Sequence, residues 1–166
     1  MAHLDIVKVT NVPGTKNLIF YNVDLAVGKN GSNKTEDVLL VQYLLKECLK
    51  LPAFSYIPGT SMAGTAQEGT IENLIISGVW DGRWQLYLDN FQNQLKRNHR
   101  NTLVDGRVDP VLNHLTLGSI SHTQYTILSL NVGYGQRRPN ELPKLASAGD
   151  CPAALRESLN VRFPVF

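Results

Sequence analysis

Gly28-Lys29-Asn30-Gly31-Ser32-Asn33-Lys34-Thr35-Glu36-Asp37-Val38-Leu39-Leu40-Val41-Gln42-Tyr43-Leu44-Leu45-Lys46-Glu47-Cys48-Leu49-Lys50-Leu51 is the stretch on which the fold turns. Its first part is Gly- and Asn-rich and reads as a loop. Thr35 suits an N-cap, because its hydroxyl can accept a bond from a free N–H of the first turn. Glu36 and Asp37 then place negative charge where the helix dipole favours it. Val38, Val41, Leu45 and Cys48 recur at three- and four-residue steps, and Leu44 and Leu49 widen that face. Pro52 cannot continue a helix and biases Leu51 away from helical geometry.

On the N-terminal side, Leu4, Ile6 and Val9 belong to a β-branched run. Val12-Pro13-Gly14-Thr15 has type II turn chemistry, and Leu18 to Val27 reads as a second extended run. A β-hairpin over residues 1–26 is the expectation. On the C-terminal side, 52–69 is a long Gly/Pro/Ser/Thr-rich loop, followed by a short apolar segment from Ile71 to Trp80 that reads as strand or irregular cover. Trp84, Leu88, Phe91 and Leu95 step by four, three and four, which predicts a second helix from Arg83, with Gln85, Asp89, Asn93 and Lys96 on its other side. Val104-Asp105-Gly106-Arg107-Val108 reads as a turn between extended residues. Asp109-Pro110 reads as an N-cap and first helical residue of a short helix through Leu115. Ser121 and Gln124 have capping-box spacing ahead of Tyr125–Val132, a helix that also alternates well enough for a strand. Gly133 to Pro139 reads as loop, and a last short helix is expected near 152–159.

The 166 residues suit one domain with a core of its own. A net charge of +2, with the basic residues scattered, gives no footprint for nucleic acid. No apolar run approaches the roughly 18 residues needed to span a bilayer. The start lacks a basic region followed by an apolar one, so the expected location is cytoplasmic, or outside the cell by a route that reads no signal peptide. Cys48 and Cys151 are the two cysteines, too few for a metal site. Cys48 lies on an apolar face, which favours a buried thiol.

Taken in order, the Asp37-Val38, Val41-Gln42 and Leu44-Leu45 helix, the Asp81-Gly82-x-Trp84 turn, the helix reaching Phe91-Gln92, and the closing Asp105-Gly106-Arg107-Val108 with Pro110 and Leu112 resemble the peptidoglycan-binding-like domain. The resemblance covers about 27–115. Gln85 and Leu88 stand where that family usually has Gly and Thr, and Phe91-Gln92 comes about one helical turn early. It implies a mainly α (α+β) chain: a peptidoglycan-binding-like three-helix core over 27–115, an N-terminal β-hairpin over 1–26 and a C-terminal helical extension over 116–166. Trp84 and Phe91 would then point between helices, with Asp-Gly pairs as tight corners.

It also implies a non-catalytic module that binds peptidoglycan or a cell-wall fragment. A sugar face wants exposed aromatics, and peptide carboxylates want amides and a cation. Trp80, Tyr87, Gln42, Tyr43, Gln92 and Arg107 are the candidates, with Tyr87 off the Trp84–Phe91 stripe and so expected at the surface. The alternative is a protein partner, as for an immunity or adaptor protein of a bacterial secretion system, with 52–69 and 133–139 as the loops of interest.

Two enzymatic or cofactor readings compete. Gly28 to Thr35 nearly spells the P-loop G-x-x-x-x-G-K-[ST], with Asn33 in place of the second glycine. An asparagine side chain there would crowd phosphates meant to meet bare backbone, and the chain lacks repeated βα units. His3, His99, His114 and His122 are scattered, without a carboxylate or cysteine at ligand spacing. Asp81 and Asp105 are explained by turns, so no catalytic residue, metal or cofactor is expected.

Overall fold

The computed structural model describes residues 2–9, 16–54, 71–98, 100–112 and 123–160. It mixes helix and sheet: β1 (His3–Val9), β2 (Lys16–Asn22), β3 (Val27–Gly28), α1 (Thr35–Leu49), α2 (Gly82–Arg97), β4 (Arg107–Val108), α3 (Thr126–Arg137) and α4 (Ala153–Asn160). Short 3-10 turns cover Ile71–Asn73 and Leu142–Ser147. The strands form two small antiparallel sheets, β1 with β2 and β3 with β4. The Pro13-Gly14 turn, Ser121, and most of the 52–69 loop fall outside the described residues.

The helix at 35–49 occupies the middle of the molecule rather than its surface. From Asp37 to Leu49 every residue except Lys46 is buried. A helix covered on all sides is packed by neighbours all round, unlike the one-faced helix expected from the stripe. α3 is its main neighbour, and α2, α4 and β3 also pack on it. The helix begins one residue earlier than expected. Lys34 is the N-cap, no side chain caps the end, and Thr35 is already helical.

α2 carries the predicted stripe, with Trp84, Leu88, Phe91 and Leu95 all buried. Asp81 caps it through Oδ1, which accepts from the N–H groups of Arg83 and Trp84, both at 3.0 Å. Gly82 sits in the first turn of the helix, so Asp81-Gly82 is a cap and not the expected tight corner. Asp105-Gly106 is a corner: Gly106 has φ +72°, and the Asp105 carboxylate accepts from the Arg107 N–H at 3.0 Å. From there β4 returns to pair Val108 with Val27 and Arg107 with Gly28.

Two expectations fail further on. Residues 109–112 are not helical, and Asn22 takes up both backbone groups of Val111. Its Oδ1 accepts from the Val111 N–H and its Nδ2 donates to the Val111 carbonyl, each at 3.0 Å. Residues 133–137 are helix rather than loop, as α3 runs on through both glycines to Arg137. Gly133 marks the place where α3 crosses α1: a Cβ there would lie 2.5 Å from Cys48 Sγ. The glycine therefore allows close approach of two helices, a role that loop composition does not reveal. The C-terminal helix forms as expected. Cys48 and Cys151 are both free and buried.

Candidate functional site

The six residues singled out from sequence do not form one exposed face. Gln42 is buried, and its amide binds the 77–79 segment: Oε1 accepts from the N–H groups of Ser77 and Gly78, and Nε2 donates to the Val79 carbonyl at 2.8 Å. Gln92 is buried in the same way at the Asp105-Gly106 corner. Its Oε1 accepts from the Gly106 N–H at 2.9 Å, and its Nε2 lies within bonding distance of the Asp105 carboxylate, the Arg107 carbonyl and the Thr126 hydroxyl. Tyr87 is buried rather than exposed, 2% accessible, because α2 is covered on a wider arc than its stripe. Trp80 is half-buried, and its Nε1 donates to Gln85 Oε1 at 3.0 Å. Arg107 pairs with Asp109 at 2.8 Å.

Tyr43 belongs to a polar cluster between α1, α3 and the tail. Its hydroxyl donates to Asp150 Oδ1 at 2.8 Å and lies 3.4 Å from the Tyr134 hydroxyl. Arg138 binds Asp150 through both Nη atoms, Glu141 through Nη1 and Glu47 through Nε at 2.9 Å. Burial, with help from hydrogen bonds that favour the neutral phenol, raises Tyr43 well above the ordinary tyrosine range. Burial pushes Tyr134 up to about 12. Asp150 goes the other way: burial opposes its ionisation, but hydrogen bonds from Arg138 and Tyr43 prevail and hold its carboxyl below the usual range. Every one of these groups is engaged with another, so the cluster serves as a latch.

The Gly28–Thr35 loop is also closed by its own groups. Asn33, at φ +51°, accepts the Gly28 N–H on Oδ1 at 2.7 Å and donates Nδ2 to the carbonyls of Gly28 and Gly31. The N–H groups of Lys29, Gly31 and Asn33 go to the carbonyls of Gly106, Gly28 and Ala26. A phosphate cradle needs such N–H groups free and convergent. Here they are already engaged.

A groove of about 240 Å³ opens between the end of α2, the start of α3 and the residues that follow α1. Phe54, Leu95, Asn98, Arg100, Gln124 and Gln136 line it. Each wall has a local cause. Pro52 turns the chain out of α1, and Phe54 then packs on Phe91 with ring centroids 4.7 Å apart and the ring planes tilted by 43°. Beyond the C-cap Asn98, the Arg100 N–H reaches back to the Leu95 carbonyl at 3.0 Å. Thr102 forms a parallel bridge with Gln124, which brings the two polar rims together. No ion pair among the described residues involves Arg100.

No family model matches this chain, and no curated protein or solved structure matches it either. The groove therefore stands on its own chemistry: one exposed cation, three side-chain amides and an aromatic floor. Sequence reading passed over Arg100 and Gln124 because they come together only when the chain bridges at Thr102. An apolar recess of about 340 Å³ adjoins it, formed by Ile19, Phe20, Leu128 and Leu142 and sharing Gln124 and Val132 with the groove. Among the described residues, no group of His, Cys, Asp and Glu could hold a metal ion, and no helix is long and apolar enough to cross a membrane.

Proposed function

We propose that this chain is a non-catalytic binding module, and that its ligand is a carboxylate-bearing fragment of peptidoglycan seated in the Arg100 groove. The observation that carries the reading is the pairing of an uncompensated guanidinium with the amides of Asn98, Gln124 and Gln136 around an apolar floor. A guanidinium binds a carboxylate through two parallel hydrogen bonds, and amides both donate to and accept from a peptide backbone. The resemblance of 27–115 to the peptidoglycan-binding-like domain supplies the ligand class. The inward placement of Trp84 and Phe91, 2% and 1% accessible, supports carrying the resemblance over, whereas the closing helix it implies at Pro110 is not formed over 109–112.

Purified sacculi test it. The wild-type chain is expected to sediment with sacculi at low salt, and Arg100→Ala to be lost from the pellet several-fold. Wild type that stays in the supernatant would overturn the reading. Loss with Trp80→Ala and not with Arg100→Ala would move the site to the half-buried tryptophan and make the contact one with sugar. The second reading, an adaptor or immunity protein with a protein partner, is favoured by the apolar recess beside the groove, since a wall peptide has little to fill it.

A further inference from the structure

The strand β2 has an open edge beside that recess. Among the described residues it pairs with β1 alone and presents every second residue's N–H and C=O outward. At Tyr21 those two groups are taken by Asn131 of α3: the Tyr21 N–H donates to Oδ1 at 2.7 Å and Nδ2 donates to the Tyr21 carbonyl at 2.8 Å. The Asn131 amide thus imitates one rung of a neighbouring strand. Two residues back, Ile19 faces the same way, because it sits opposite Ile6 as Tyr21 sits opposite Leu4. Nothing among the described residues continues the imitation at Ile19.

Ile19 also lines the recess, whose other walls are Leu128, Val132 and Leu142. Val132 is 49% accessible, although it lies mid-helix on α3. An open rung next to an apolar hollow is the geometry of strand addition, in which backbone bonds give affinity and pockets read alternate side chains. The rim that joins the hollow to the Arg100 groove adds the charge requirement. Among the described residues no carboxylate lines either space, so a segment crossing both meets the Arg100 cation and none of their anions.

We infer that an extended segment of a protein partner, aliphatic at alternate positions and bearing an acidic residue, adds to the edge of β2 at Ile19, places an aliphatic side chain in the recess and directs its carboxylate to Arg100. This surface does not depend on the wall-fragment reading, and wall binding could fail while it holds.

The test pans a phage-displayed library of random peptides on the whole chain, then measures the enriched sequences as synthetic peptides. Enrichment of aliphatic-alternating, acidic sequences is expected. Such a peptide should slow amide hydrogen exchange at Ile19 and bind Ile19→Val as well as wild type. Ile19→Pro removes the outward donor, together with the Ile19 wall of the recess that Ile19→Val keeps aliphatic, on an edge where proline is tolerated, and should weaken binding by roughly tenfold. Val132→Glu, at an exposed helix position, should do the same by repelling the acid, and it replaces Ile19→Pro if that variant misfolds. Arg100→Ala should remove the preference for acid. No enrichment, protection that falls away from Ile19, or Ile19 protection arising from self-association alone would overturn the inference. Sacculi retention by Ile19→Pro, measured in parallel, keeps its failure separate from that of the wall reading.

Discussion

The Gln92 side chain and the Gly106 backbone form one unit: the amide oxygen of Gln92 accepts the Gly106 N–H at 2.9 Å, inside a corner that Gly106 can make because its φ is +72°. The same device recurs. Gln42 holds 77–79, Asn22 holds Val111, Asn33 closes the 28–33 loop, and Asn131 holds Tyr21. A chain with two small two-stranded sheets has many backbone groups to satisfy outside regular ladders, and buried amides satisfy them.

Gln92→Leu fills a similar volume but leaves the buried Gly106 N–H and Thr126 hydroxyl without their partner. The expected cost is about 2–4 kcal/mol, from the desolvation of groups left unpaired. Urea denaturation checks it, with a lower midpoint and an unchanged slope.

Gly133→Ala sets helix propensity against packing. Alanine gains up to about 1 kcal/mol of propensity in a helix interior. The new Cβ would lie 2.5 Å from Cys48 Sγ in a fully buried contact, and overpacking costs about 1–3 kcal/mol. A net loss is expected. Cys48→Ala makes room, so the double variant Cys48→Ala/Gly133→Ala should recover most of it, a coupling that a double-mutant cycle in thermal denaturation would read.

Asp150 makes stability depend on pH. Its folded pKa lies below the usual carboxylate value, so it contributes stability above the unfolded pKa of about 4, and that contribution is lost as pH falls through the folded value. Asp37 acts with the opposite sign. Burial raises its pKa against the opposing N–H bonds from Asp24 and Leu25, so its contribution is present at low pH and declines as pH rises through the folded value. Asp150→Asn should therefore flatten the acid limb of a melting-temperature profile, and Asp37→Asn should steepen it. An acid limb unchanged by Asp150→Asn would show that the latch has no such role.

Nucleotide should have no effect. With the N–H groups of Gly28, Lys29, Gly31 and Asn33 engaged within the protein, magnesium nucleotide is expected to leave the melting temperature unchanged in wild type and in Lys34→Ala alike. A rise in wild type that Lys34→Ala abolishes would contradict this.

Local signals carried the helices well. The Trp84–Leu95 stripe lies within one segment and formed where its spacing put it, while Asp81, read as part of a corner, caps that helix instead. What sequence could not show depends on partners far along the chain. The glycines at 133 and 135 read as breakers because Cys48, the reason for the first, lies 85 positions away. The helix expected at Asp109-Pro110 gave way over 109–112 to a bracket from Asn22, 89 positions away. Gln42, Tyr43 and Gln92 had the chemistry of ligand contacts, and only their burial against backbone segments or, for Tyr43, against Asp150 and Tyr134 distinguishes the two uses. Arg100 carried no local pattern at all, and the capping-box spacing of Gln124 pointed to a helix start and not to a groove.

The submerged position of α1 decides how the protein can be dissected. Tyr43 and Cys48 meet α3, and Leu145 of the tail donates its N–H to the Tyr21 hydroxyl of the hairpin at 2.8 Å. A fragment excised at 27–115 would lose α3, α4 and the hairpin together, and bare the far wall of its own central rod to water. Such a piece should be recovered as aggregate, whereas the intact chain should melt in a single step.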